Sequence, residues 1–206
     1  MATWSEFRRA VWIPRKGKRF RPSSDADLDA FEEHAGIKLP VSYREFAKIF
    51  GACAMMGGIM GHTEFMFAAP RRKKGPRQLF NLFTFAEDMH EAVEDDTKPI
   101  GGKVPASDPA QSLRMVFFCS DGGDGRFGWD PEDVSDAANH EYAVYVRYSC
   151  SEPYGRLASS FEEFVLSYCM GDELARWREA GRPVRRKRGD DDRSNDTRIG
   201  VGVIST

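Results

Sequence analysis

Two apolar stripes of helical period, separated by the short break Gly36-Ile37-Lys38-Leu39-Pro40, constrain this chain more than any other feature. Before the break, Leu28, Phe31 and Ala35 recur at i, i+3 and i+7; after it, Tyr43, Phe46, Ala47 and Phe50 recur at helical spacing. Ser24 or Asp25 can cap the first stripe, and acids at Asp25, Asp27 and Asp29 suit the positive end of a helix dipole. Gly36 supplies a C-terminal stop. Pro40 suits the first turn of the next helix, where its missing N–H is not needed. Gly51 ends the second stripe. The result is a compact helical pair.

Downstream the pattern turns strand-like. Thr63–Ala68, Gln78–Phe83, Leu113–Cys119, Arg126–Trp129 and Tyr142–Tyr148 read as strands, with a short one at Gly155–Ala158. The basic run RRKKGPR, residues 71–77, suits an exposed loop between the first two of these. Thr84 can cap a helix running from Phe85 to about Glu94, with Phe85, Met89 and Val93 on its apolar face. A long polar connection with Pro99, Pro105 and Pro109 follows. SDGGDG (120–125) and DPEDVSDAANHE (130–141) read as glycine- and acid-rich turns. Ser160-Phe161-Glu162-Glu163 matches a capping box, opening a helix with Phe161, Phe164, Val165 and Tyr168 on its apolar face. A further helical stretch is expected over Glu173–Ala180.

The chain has 206 residues, 41% of them apolar and 15 of them Phe, enough for one substantial core without disulfides or metal. No stretch approaches the length of a membrane span. The N-terminus mixes charge with aromatics and does not read as a secretory signal, so a cytoplasmic protein is expected. Cys53, Cys119, Cys150 and Cys169 are widely spaced and form no CxxC pair, which argues for buried, reduced thiols and against zinc.

Charge is unevenly distributed. Residues 1–22 carry seven Lys/Arg against one Glu, residues 71–77 five Lys/Arg, and residues 181–206 seven Lys/Arg against four Asp. With a total of −2, the remaining residues stand at −16. An acidic body with basic appendages favours basic protein partners over nucleic-acid phosphates. The basic runs carry no interleaved aromatics for base stacking. From Arg182 onward aromatics vanish, which predicts a flexible charged tail over 181–206, although Ile199–Ile204 can add as an edge strand.

Three blocks in this order resemble the SUKH superfamily, which takes in the yeast cell-wall assembly regulator and bacterial toxin-immunity proteins. They are Leu28-Asp-Ala-Phe31-Glu-Glu-His-Ala-Gly36-Ile37-Lys-Leu39-Pro40-Val-Ser-Tyr43-Arg-Glu-Phe46, then Phe118-Cys-Ser120-Asp121-Gly122-Gly123-Asp124-Gly125 followed by Phe127 and Trp129, then Leu157-Ala-Ser-Ser160-Phe161-Glu-Glu-Phe164. Together they span about residues 25–170. The resemblance implies an α+β fold: an antiparallel sheet of about four to six strands flanked by the N-terminal helix pair and the C-terminal helix. It implies a domain over 23–180, preceded by a basic extension over 1–22. Phe31, Gly36, Leu39, Pro40, Tyr43, Phe46, Gly122, Gly123, Ser160 and Phe161 are its structural motif positions. The basic arm, the RRKKGPR insertion and the tail depart from a minimal member.

The resemblance implies no known catalytic residues and a protein partner, in bacteria commonly a co-encoded toxin such as a nuclease; no cofactor and no metal are expected. The residues agree. His34, His62, His90 and His140 make no metal or catalytic spacing, no nucleophile elbow is present, and Gly57-Gly58-Ile59-Met60-Gly61 lacks the Lys-Ser/Thr of a phosphate loop. Asp121, Asp124, Asp130, Glu132 and Asp133 place five carboxylates in thirteen residues around Trp129. That segment matches a calcium loop only in part, because Gly123 stands where an acid is required. It reads instead as a glycine turn with solvated acids, a partner-contact surface with Trp129 as anchor, or both. The leading expectation is an immunity protein that binds a basic toxin. The alternatives are a scaffolding or regulatory adaptor docking through arm and tail, and an unrecognised acid–base enzyme.

Overall fold

Ser24 opens the first helix, α1 (Asp25–Ala35), by a reciprocal capping box: its Oγ accepts from Asp27 N–H at 3.2 Å, while Asp27 Oδ2 accepts from Ser24 N–H at 3.1 Å. Gly36 closes it in the left-handed conformation, with φ 68°. After Pro40, α2 runs over Val41–Phe50 and buries Tyr43, Phe46, Ala47 and Phe50. The structure is a computed structural model, and it describes residues 7, 11–12, 22–57, 63–71, 81–88, 109–123, 125–148, 153–171 and 199–202.

The two helices are laced by charge as well as by packing. Arg44 on α2 donates to Glu32 Oε1 at 2.7 Å and to Asp29 at 2.8 Å, and Lys38 donates to Glu32 Oε2 at 2.8 Å. Burial opposes the charge on Glu32, but the hydrogen bonds from Lys38, Leu39 N–H and Arg44 outweigh it and hold the carboxyl below its ordinary value of 4.5. A carboxyl depressed in the folded state stabilises fully above its unfolded value, and that stability is lost as pH falls through the folded value. Stability is therefore expected to drop on acidification below about pH 4.5, and Glu32→Gln to remove that component. Urea midpoints taken at about pH 6 and about pH 3 measure it.

The sheet body is antiparallel and six-stranded, in the order β2 (Cys53–Gly57), β3 (Thr63–Phe67), β4 (Val116–Ser120), β5 (Arg126–Asp136), β6 (Glu141–Arg147) and β7 (Gly155–Ala158). This is the α+β arrangement expected. Two short strands extend it beside β2: β8 (Ile199–Gly202) pairs antiparallel with β2, and β1 (Val11–Trp12) pairs parallel with β8. Ile199–Gly202 thus lies inside the sheet rather than along its outer edge.

Several elements differ from the sequence expectation. Gln78–Phe83 was expected as a strand; Leu82 and Phe83 instead open a helix, α3 (82–88), whose first turn bonds back to Asn81. Asn81 is the better opener because its side chain also bridges Arg71, accepting from Arg71 N–H and donating to Arg71 C=O, both at 3.1 Å. Pro109–Arg114 forms α4, so β4 begins at Val116 rather than Leu113. β5 continues from Trp129 through the acidic stretch to Asp136, with register shifts on either side of Val134, and the turn to β6 is confined to residues 137–140. Residues 72–80, 89–108 and 172–198 lie outside the described residues. Most of RRKKGPR, the end of the Phe85–Glu94 helix and the Glu173–Ala180 helix fall there.

The core is aromatic and sits between the sheet and the helices. A register shift between Phe117 and Cys119 turns Phe118 onto the helix side, where its ring stacks on Trp129 at 4.5 Å. Tyr43 of α2 meets Trp129 at 5.0 Å and Phe161 at 5.1 Å, and Phe46 meets Phe67 at 5.0 Å. Tyr43 also donates its hydroxyl to Ala68 C=O at 2.8 Å, a partner its burial requires. The last helix, α5, is α-helical over Phe161–Glu163 and widens to a π-helix over Phe164–Cys169. On the opposite sheet face Arg147, buried, lies 5.6 Å from the Tyr154 ring centroid.

Candidate partner-binding surface

Most of the described carboxylates expected around Trp129 are engaged in internal pairs. Trp129 is fully buried in the aromatic core, so it cannot anchor a partner. Asp130 is also buried: it accepts from Arg114 Nε at 2.9 and 3.1 Å and from Glu132 N–H at 3.1 Å. Its role is to hold α4 to β5. Glu132 is exposed and reaches Arg114 at 3.2 Å. Asp133 accepts from Tyr145 Oη at 2.7 Å and from Arg156 at 3.3 Å. Asp130 and Glu132 thus share Arg114, while Asp133 pairs with Tyr145 and Arg156. Asp124 lies outside the described residues.

Asp121 stands apart, at the turn between β4 and β5. Gly122 takes φ 76°, and Asp121 Oδ1 accepts from Gly123 N–H at 2.9 Å and Gly125 N–H at 3.0 Å. A Cβ on Gly125 would fall 2.3 Å from Asp121 Oδ2, which is why glycine is needed there. Gly125→Ala is expected to displace the carboxylate and cost about 2 kcal/mol, read by chemical denaturation. Asp121 is thus engaged in closing its own turn. Among the described residues no group of three or more His, Cys, Asp and Glu could hold a metal ion.

A second acidic feature was not anticipated. The N-termini of α2 and α5 and the β5–β6 turn border an open cleft of about 370 Å³, whose lining includes Glu45, Asp136, Glu141 and Glu162. Glu141 is its keystone. Its carboxylate accepts from Ser42 N–H at 2.9 Å, Ser42 Oγ at 2.8 Å and Phe161 N–H at 3.3 Å, so one side chain caps two helices. Val41 N–H donates to Asn139 C=O at 3.0 Å, and Ser135 Oγ donates to Ser159 C=O, closing the same corner. Ser160 Oγ accepts from Glu163 N–H at 3.0 Å, while Glu163 reaches back to Ser159 N–H at 2.7 Å, one residue beyond the expected capping-box partner. Asn139's side chain, with Ala138 N–H, holds the Asp136 carboxyl below its ordinary value, so Asp136 stays anionic at neutral pH.

A family model described as the SMI1 / KNR4 family (SUKH-1) matches residues 22–167, more than half of the chain. The chain belongs to the SMI1/KNR4 (SUKH-1) family. This SUKH-1 match takes in α1 through most of α5 and strands β2–β7, including the cleft and the Asp121 turn, whereas β1 and β8 lie outside it. The family includes toxin-immunity proteins and Smi1/Knr4 regulators, is generally non-catalytic, and acts through protein–protein interaction. The search of curated proteins returned no match.

The reactive side chains of this SUKH-1 protein sit in settings that suit packing. Cys53, Cys119 and Cys169 are free and buried, and burial pushes each thiol up, away from the reactive thiolate. Cys150, His62 and His90 lie outside the described residues. His34 is exposed, 3.6 Å from Glu87, and His140 occupies the β5–β6 turn with φ 51°. Among the described residues no helix is long and apolar enough to cross a membrane.

Proposed function

We propose that this SUKH-1 protein is a cytoplasmic immunity protein that binds and neutralises a co-encoded toxin with a basic, nuclease-type surface. The observation that carries the reading is the carboxylate-rimmed cleft at the two helix N-termini, set in a body that stands at −16 outside its three basic segments. Such a surface attracts a cationic protein and speeds encounter. The exposed Glu45 and Glu132 and the half-buried Glu162 and Asp133 are the proposed contacts with Asp121 and Asp124, and neutralisation is steric occlusion of the toxin's substrate path. Buried unpaired thiols suit a reducing compartment. The test is co-expression with the toxin encoded beside it. Cells are expected to survive and the pair to co-purify; cell death with no recoverable complex overturns the reading.

A second reading, an adaptor docking through its basic arm and tail, is favoured by β1 and β8, which join the sheet from outside the family-matched span. Changing the Lys and Arg residues of 1–22 to Ser leaves β1's Val11 and Trp12 in place and separates the two readings. An immunity protein is expected to keep its affinity for the toxin, whereas an adaptor loses its partner.

A further inference from the structure

Among the large apolar and aromatic side chains of the described residues, four are well exposed, Val41, Leu113, Val134 and Tyr148, and Tyr148 is the aromatic one, at 43%. It is not a stray ring. Its hydroxyl lies 2.5 Å from that of Tyr168, and its ring meets Phe127 edge-on at 6.3 Å. Tyr168 is pinned in turn: it stacks on Phe164 at 5.6 Å and meets Phe65 and Phe127 at 6.0 Å. Tyr168 belongs to the π-helical stretch Phe164–Cys169, a wider coil that recurs at functional sites. Two rings already held in place lose little conformational freedom on binding, and tyrosine joins a large apolar body to a polar tip.

A carboxylate acts on the pair. Burial first, then the Tyr148 hydroxyl, then other groups including the Asp121 charge, push the Tyr168 hydroxyl upward, so it stays neutral and within electrostatic reach of Asp121. Asp121 Oδ1 is occupied by two turn amides, while Oδ2 has no hydrogen-bond partner among the described residues. Arg126 pairs in register with Arg147, which packs on Tyr154 across the sheet, so Arg126 faces away from Phe127 and the tyrosines. An aromatic face beside a carboxylate favours a guanidinium, which stacks flat and pairs with the acid, over the compact ammonium of lysine.

We propose that the Tyr148–Tyr168 pair beside the Asp121 turn is the docking point for an arginine side chain of the protein partner. This rests on the reading of a basic partner and names the surface and residue type. Two probes, octa-arginine and octa-lysine peptides, are titrated into the full chain by calorimetry. Octa-arginine is expected to bind more tightly, and Tyr148→Ala to weaken it about fivefold while leaving octa-lysine unchanged. Tyr148→Phe, which keeps the ring, retains the preference, and Val134→Ser affects neither peptide. Asp121→Asn weakens octa-arginine. A Tyr148→Ala protein that binds octa-arginine as the parent does, or that loses both peptides equally, overturns the proposal and leaves the basic-partner reading standing. Binding of neither peptide to the parent overturns the charge argument beneath both. Thermal unfolding of each variant shows that the fold is intact.

Discussion

Trp129→Ala is expected to lower the free energy of unfolding by about 4 kcal/mol, the largest single effect in the core. The indole is fully buried, stacks on Phe118 at 4.5 Å and receives Tyr43 at 5.0 Å, so its removal leaves a cavity that β4, β5 and α2 all line. Close-packed interiors relax only partly around such a void, so the cavity adds to the lost transfer energy. Among the described residues its Nε1 is buried without a hydrogen-bond partner, and an orphaned donor of this kind costs about 1–3 kcal/mol. Trp129→Phe removes that N–H and keeps a ring against Phe118. It is expected to change stability by less than about 1.5 kcal/mol. Urea denaturation checks both variants. Partner affinity per folded molecule is expected to be unchanged in Trp129→Phe, because the side chain reaches no surface.

Glu141→Ala is expected to cost about 3 kcal/mol. The substitution strips partners from Ser42 N–H, Ser42 Oγ and Phe161 N–H at once, and it removes a negative charge from the positive ends of α2 and α5. Glu141→Gln keeps an acceptor and the shape but loses the charge assistance, with an expected cost of about 1–2 kcal/mol. Hydrogen exchange separates this from general destabilisation. Amides in the first turns of α2 and α5 are expected to lose protection before those of β4, because Glu141 acts on the helix ends and not on the sheet centre.

The two halves of the fold were unequally legible in the sequence. The helix pair was readable because its signals are local: the Ser24 cap, the Leu28–Phe31 stripe, the Gly36 stop and the Tyr43–Phe46–Phe50 stripe all lie within a few turns of one another. The acidic stretch 130–136 was misread as a turn because Asp, Pro and Glu are depleted in strands, and only pairing with β6 overrides that preference. QLFNLF was misread as a strand because a short apolar run has no decisive period, and the Asn81 contacts with Arg71 place the helix start. Trp129 followed the rule that exposed tryptophans anchor partners, but burial depends on what covers the strand, and Tyr43, 86 positions away, does so.

By itself the sequence determined the element types with strong local caps and periods, the α+β family, and the partition of charge between an acidic body and basic appendages. Tertiary structure alone decided which acids share a surface, which are spent on internal pairs, and that Glu141 joins two helix ends to a strand 99 residues from Ser42. The physical reason is range. Caps and hydrophobic periods act over a few residues, whereas exposure and hydrogen-bond partnership are set by whichever distant segment the sheet brings alongside.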